Sequence, residues 1–209
     1  MEIINRINKI KRIVDIGRVF MHSQFFRFFT PKYNETKPSK DILVFVGMGI
    51  GDAILMLDPL FELRRMFPPE KNYRILLLCG VAVKSFLTEI GLPNTFLLLK
   101  VIFPDRLQSK FLYKDYHFFY RYCKGKQFYI VWDSYTPSLL RACLLSIITS
   151  KIRVGVKYGY KSRNIIEEKL IRREYSHAQV VPYNESRMDE LKSAIYCLGN
   201  KEYKTRIPY

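Results

Sequence analysis

Acidic residues, clustered cysteines and long apolar runs are all scarce in this 209-residue chain, and each shortage closes off a class of protein. The four cysteines, Cys79, Cys123, Cys143 and Cys197, lie far apart, with no C-x-x-C pair and no histidine ladder nearby. That spacing argues against a zinc site and leaves core thiols in a reducing compartment. The histidines His22 and His117 have no partner in sequence and His177 lies in a separate block near the end of the chain, so none is a candidate ligand and no metal is expected. The longest apolar runs, near Ile75 to Val83 and Leu139 to Thr149, fall well short of the ~20 residues a spanning helix needs. The opening MEIINRINKIKR has no unbroken apolar stretch followed by small residues, which argues against a secretory signal. A cytoplasmic protein is expected. Internal repeats and low-complexity sequence are also missing.

Against 19 Asp and Glu stand 35 Lys and Arg, a formal charge of +16. Such an excess draws a chain toward nucleic acid, an acidic membrane surface or a phosphorylated substrate, and does not choose among them. With 48% hydrophobic and 15% aromatic residues, the chain can bury a real core as one domain or at most two small ones.

Ile3, Ile7, Ile10, Val14, Gly17, Met21, Phe25 and Phe28 recur in steps of three and four, which predicts a helix with one apolar stripe. Arg6, Lys9, Lys11, Arg12, Arg18 and Arg27 occupy other faces, and residues 1–40 hold nine Lys/Arg against three Asp/Glu. A basic amphipathic helix of this kind suits an anionic membrane surface through residues 3–29; a helix packed on the domain or on a partner chain explains the same stripe. The segment from Pro31 to Lys40 reads as a polar linker, so residues 1–40 form a unit ahead of a domain over 41–200.

From Asp41 the pattern changes to short apolar runs alternating with helical stretches. Strands are expected at Ile42 to Val46, Arg74 to Cys79, Thr95 to Leu99, Phe128 to Trp132 and Ile152 to Val156. Helices are expected from Asp52 to Phe67, ended by Pro68 and Pro69, from Val81 to Ile90, and from Pro137 to Ile148. Strands apolar on both faces and alternating with helices predict an α/β, doubly wound, parallel sheet covered on both sides. Between Pro104 and Lys126, aromatics and cations interleave as they do in platforms for single-stranded nucleic acid. Here the aromatics fall on every side of any helix, so a part-core, part-surface role fits as well.

The stretch VFVGMGIGDAIL, Val44 to Leu55, has the look of a phosphate-cradling turn. A dinucleotide fingerprint needs G-x-G-x-x-G with the pyrophosphate on the helix N-terminus. Here Gly47 and Gly49 fit, Gly51 is out of step, and the third motif position holds Asp52, whose carboxylate repels a pyrophosphate. A Walker A loop is excluded because no Gly-Lys-Ser/Thr follows. Asp52 at the head of a helix is either an N-cap or a carboxylate that the helix dipole keeps ionised beside the crevice where such sheets bind ligands. In the second case it can act as a general base.

Ile42 to Pro69, ILVFVGMGIGDAILMLDPLFELRRMFPP, resembles the opening of family 9 glycosyltransferases, the heptosyltransferases of lipopolysaccharide core synthesis. The matching features are Gly51-Asp52, Pro59 within an apolar helix, and Leu63-Arg64-Arg65-Met66-Phe67-Pro68. Phe128 to Gly159 is similar to that family's strand ending in Asp, helix, and strand running into Arg-x-Gly. His177 to Gly199 resembles the helix before its interdomain linker. The resemblance implies the N-terminal, Rossmann-like, acceptor-binding half of a GT-B architecture, with residues 201–209 beginning a linker and the second domain absent. It implies an inverting, metal-independent transfer of sugar from a nucleotide sugar to a lipid-linked or phosphorylated glycan acceptor, with Asp52 as base, at the cytoplasmic face of the inner membrane. No other cofactor is expected, nor is nucleic acid. The nucleotide sugar is bound mainly by the missing half, so the isolated chain, a fragment or a truncated product, should not turn over.

Gly47, Gly49 and Gly51 are candidates for acceptor approach, and Arg64 and Arg65 match family positions, although a helix C-terminus favours cations anyway. Residues 151–175 hold eight Lys/Arg against three Asp/Glu, and Lys157, Lys161 and Arg163 follow a strand at the edge where loops form binding sites. A solvated basic loop accounts for the same residues. Asp133 ends its strand and is expected to cap the next helix, with contact to an acceptor as the other reading. The alternative to a transferase is a non-catalytic basic module for membranes or nucleic acid.

Overall fold

The structure is a computed structural model that describes residues 2–46, 49–92, 96–100, 109–134, 139–158 and 177–181, together with 169, 173–174, 191, 194–195 and 198. In chain order the elements are α1 (Glu2–Phe29), β1 (Asp41–Phe45), α2 (Ile50–Met66), β2 (Arg74–Cys79), α3 (Val81–Glu89), β3 (Phe96–Lys100), α4 (Ser109–Cys123), β4 (Gln127–Asp133), α5 (Leu139–Ser146), β5 (Thr149–Tyr158) and β6 (His177–Val181). The strands form one six-stranded sheet in the order β3-β2-β1-β4-β5-β6, parallel at every pairing. This is the α/β, Rossmann-like arrangement that the alternating runs predicted.

Alternation within β1 divides the core. Ile42, Val44 and Val46 meet Ala53, Met56, Leu60 and Leu63 of α2 and Val83 and Leu87 of α3. Leu43 and Phe45 point the other way, onto Val19 of α1, Tyr116, Phe119 and Cys123 of α4, and Cys143 and Leu144 of α5. Each such aliphatic or aromatic side chain, taken fully out of water, contributes about 1.5–3 kcal/mol. Helix α2 buries residues at steps of three and four along one stripe, and the prolines after Phe67 stop it.

Three features depart from the sequence reading. The segment 30–40 is held along the start of the sheet: Thr149 donates to the Pro31 carbonyl at 2.9 Å, the Asn34 N–H donates to Gln127 at 3.0 Å, and Lys151 pairs with Glu35 at 2.8 Å. Helix α1 docks on α4 and α5 through Val19, Ser23 and the partly buried Ile16, Phe20 and Phe26. The predicted stripe lies on its opposite side, with Ile10, Val14, Met21, Phe25 and Phe28 exposed. Arg27 reaches the buried Glu174 at 3.7 Å, and Glu174 also accepts from Arg153 of β5 and Arg173, which ties the end of α1 to the sheet. The strand β6, His-Ala-Gln-Val-Val, falls where a helix was expected to begin.

Burial also accounts for the aromatic segment. Tyr116 and Phe119 are core residues, and Tyr120 stacks on Phe26 with ring centroids 4.6 Å apart. Cys79, Cys123 and Cys143 are buried. Burial pushes the Cys79 thiol up to about 11 and raises those of Cys123 and Cys143. Among the described residues no helix is long and apolar enough to cross a membrane, and no cluster of three His, Cys, Asp or Glu could hold a metal ion.

Candidate functional site

The chain runs outward from β1 through β2 to β3, then returns to lay β4 against the other side of β1. Helices leaving β1 and β4 therefore diverge to opposite faces, and the C-terminal ends of these two strands mark the reversal of strand order, the position at which open α/β sheets have their ligand crevice. Phe45 of β1 stands opposite Asp133 of β4 at that edge.

Beyond β1 the Val46 N–H donates to the Leu78 carbonyl at 2.9 Å, which fixes the direction in which the chain leaves the sheet. Gly47 and Met48 lie outside the described residues. Gly49 is the N-cap of α2 in extended backbone (φ −93°, ψ 153°), with its carbonyl accepting from the Ala53 N–H at 3.1 Å. Asp52 is thus the third residue of the helix and not its cap, which corrects the N-cap reading. A cap at Asp52 requires the helix to begin at Ala53, three residues later, whereas Ile50 and Gly51 are already helical. In its first-turn position the half-buried carboxylate sits among N–H groups that have no helical acceptor, where the dipole favours negative charge.

The glycines beside it are not demanded by the fold. A Cβ added at Gly49 meets only Oδ2 of Asp52, at 3.7 Å, and one added at Gly51 meets nothing within 4 Å. Both residues are exposed. A glycine inside a helix costs about 0.5–1 kcal/mol relative to alanine, and Gly51 offsets that with no packing gain. What the pair does provide is bare backbone next to a carboxylate.

Across the crevice Asp133 is fully buried and accepts hydrogen bonds from Arg141 of α5, one of them from Nε at 3.1 Å. Whether Asp133 also caps the following helix turns on residues 135–138, which lie outside the described residues. A carboxylate removed from water needs a countercharge, and the guanidinium eight residues on supplies it. The same guanidinium lies 4.3 Å from the Phe45 ring centroid, and Ser134 donates its hydroxyl to the Phe45 carbonyl. Arg141 and Ser134 thus brace the last residue of β1 from the β4 side. Sequence reading missed both; an Arg on the helix after a strand-ending Asp-Ser is the signal they left.

The remaining candidates are placed elsewhere. Arg64 and Arg65 lie twelve and thirteen residues beyond Asp52, about 18–20 Å along α2, at the opposite end of the sheet. Arg64 donates to the carbonyls of Phe67 (3.3 Å) and Tyr73 (3.1 Å) and stacks 5.0 Å over Phe96, with burial lowering its pKa. Arg65 pairs with Glu62 at 3.0 Å on the surface. The structure does not bring either together with Asp52. Lys157 lies within β5, opposite Val180, because that strand runs on to Tyr158 past the expected end at Val156. Lys161 and Arg163 lie outside the described residues.

No protein-family model matches this sequence, and no curated protein does. The fold is similar to a solved structure, "E. coli heptosyltransferase WaaC with ADP", with a TM-score of 0.52 and 11% sequence identity over 79% of this chain and 49% of that one. The chain spans about half the length of that heptosyltransferase, and at this identity the likeness is one of fold. This chain has an α/β Rossmann-like fold, with Asp52 and two bare glycine backbones on one side of the strand-order reversal and the braced end of β4 on the other.

Proposed function

We propose that this chain is the acceptor-holding half of a heptosyltransferase-like enzyme. One observation carries the reading: Asp52 stands in the first turn of α2, at the C-terminal end of β1 and at the reversal of strand order, beside glycines that no packing requires. The fold likeness to a heptosyltransferase supports it.

The chemistry follows from that placement. A sugar hydroxyl of a glycan acceptor enters over Gly49 and Gly51, close to the α2 N-terminus. Asp52 takes its proton as the hydroxyl oxygen bonds to the anomeric carbon of a nucleotide sugar. The bond from that carbon to the diphosphate breaks on the opposite face and the diphosphate leaves with the electron pair, so the configuration inverts. No metal is needed for this step. The donor is held by a facing second unit, on the same polypeptide or on another. The acceptor is a lipopolysaccharide-type, phosphorylated glycan, and Lys157, Lys161 and Arg163, at and beyond the end of β5, are the cations proposed to meet its charge.

The test is an Asp52→Asn substitution in this half assembled with its donor-binding unit, assayed for transfer from nucleotide-activated sugars to a phosphorylated lipid-linked core acceptor. Transfer should fall by about 10²–10⁴-fold, the range a positioned proton acceptor contributes, with the unfolding midpoint unchanged. Turnover retained at the parent level refutes the base assignment.

A further inference from the structure

The outer face of α1 has no counterpart in the proposed transfer chemistry. Its inner face, built from Val19, Ser23 and Phe26, is spent on α4 and α5. On the other side Ile10 (61% exposed), Val14, Met21 (66%), Phe25 and Phe28 (87%) follow one another at helical spacing, with Gly17 between them. At 100° per residue these positions fall within about 80° of one another around the axis, so they form one strip along the helix. Arg18 and Lys11 sit at its margin, both exposed, and the loop that follows adds the exposed Lys32 and Lys37. Arg27 is turned inward, to Glu174.

A solvent-facing helix does not ordinarily carry a continuous apolar strip, and contiguous exposed patches mark interaction sites. The helix packs through one side and is apolar again on the other, so the strip adds nothing to the core. We infer that it lies in the surface of an anionic lipid bilayer, with the helix axis along the membrane plane. Three observations select a lipid surface as the occupant. The residues exposed are aliphatic and aromatic side chains on a convex, single-helix strip, which suits a fluid acyl boundary. The margin and the chain as a whole are cationic, at +16, and anionic headgroups complement that charge. Among the described residues no helix can cross a bilayer, so the contact is interfacial.

The inference is independent of the transferase reading, and its test involves no catalysis. The full chain is sedimented with vesicles of phosphatidylethanolamine and phosphatidylglycerol, and separately with phosphatidylcholine alone. Two variants are compared, Phe25→Ser with Phe28→Ser, and Lys11→Glu with Arg18→Glu; all four side chains are exposed, and each variant's unfolding midpoint checks that the fold is kept. The parent should bind the anionic vesicles at least about tenfold more tightly than phosphatidylcholine, and each variant should lose at least about tenfold on the anionic vesicles. Equal binding by the serine variant overturns the inference, as does a parent that stays in solution. A parent that ignores vesicles but is a dimer, and becomes a monomer on the serine substitutions, assigns the strip to a second copy of the chain instead. A parent that ignores vesicles but binds a single-stranded oligonucleotide through Lys11 and Arg18 assigns the margin to nucleic acid.

Discussion

Replacing Arg141 by Met leaves Asp133 buried without its guanidinium. The pair is almost wholly out of water, Asp133 at 0% and Arg141 at 8% exposure, so solvent screens it little. Breaking a buried pair by removing one partner costs about 3–5 kcal/mol, because a desolvated charge stays behind. The ring contact with Phe45, at 4.3 Å, is lost as well. In a chain of this size each kcal/mol moves the thermal midpoint by about 2–4 °C, so the expected fall is about 6–20 °C. Replacing both partners, Asp133→Leu with Arg141→Met, removes the stranded charge and should restore most of the loss, since apolar substitutes for buried pairs are often neutral or better. Urea unfolding of the parent, both single variants and the double variant closes the cycle and isolates the coupling. An Arg141→Met chain within about 0.5 kcal/mol of the parent, the range of ordinary surface changes, refutes the claim that this pair braces the end of β4.

Gly51→Ala should raise stability by about 0.5–1 kcal/mol, because the added methyl relieves helix entropy and meets nothing within 4 Å, yet it should depress transfer in the assembled enzyme by covering the acceptor's path. Higher urea midpoint with undiminished transfer contradicts the proposed path. The Cys79 thiol, pushed by burial up to about 11 from an ordinary 9.0, should alkylate at pH 8 at least about 10²-fold more slowly in the native chain than in urea, as mass mapping of the labelled peptide would read. Because the unfolded thiol ionises first, this group's contribution to stability should be full below pH 9 and decline as pH rises from about 9 to about 11; a Cys79→Ala chain should show a shallower decline in that window.

Much of the fold could be read from local patterns because the sheet is buried on both faces. Arg74 to Cys79 is an unbroken apolar run after one charge, and its strand bounds match the expectation. Pro68 and Pro69 marked the end of α2 within a residue. Periodicity did less well with α1, which is apolar on two sides: the regular series from Ile10 to Phe28 is the exposed strip, while Val19, Ser23 and Phe26 dock. A hydrophobic pattern gives the faces of a helix, and only tertiary packing decides which face is covered. The strand β6 escaped notice because His-Ala-Gln-Val-Val has little of the apolar continuity of the inner strands, as suits its place at the edge of the sheet.

At the site, the Gly-Asp turn was legible because three glycines before a helical run are conspicuous. The role of Asp133 was not, since its partner Arg141 lies on the next element and burial of the pair is a tertiary fact. Arg64 illustrates the converse: its position in the sequence suggested a ligand contact, whereas the folded chain uses it to hold the Phe67 and Tyr73 carbonyls.

Hydrogen exchange of the chain with and without a phosphorylated, lipid-linked core glycan tests most directly whether the crevice receives an acceptor. Slowed exchange confined to the amides from Gly49 to Ala53 and from Val131 to Ser134 is the expected result. Protection that leaves both segments unchanged while it appears elsewhere, or no protection at saturating glycan, would contradict the placement of the acceptor beside Asp52.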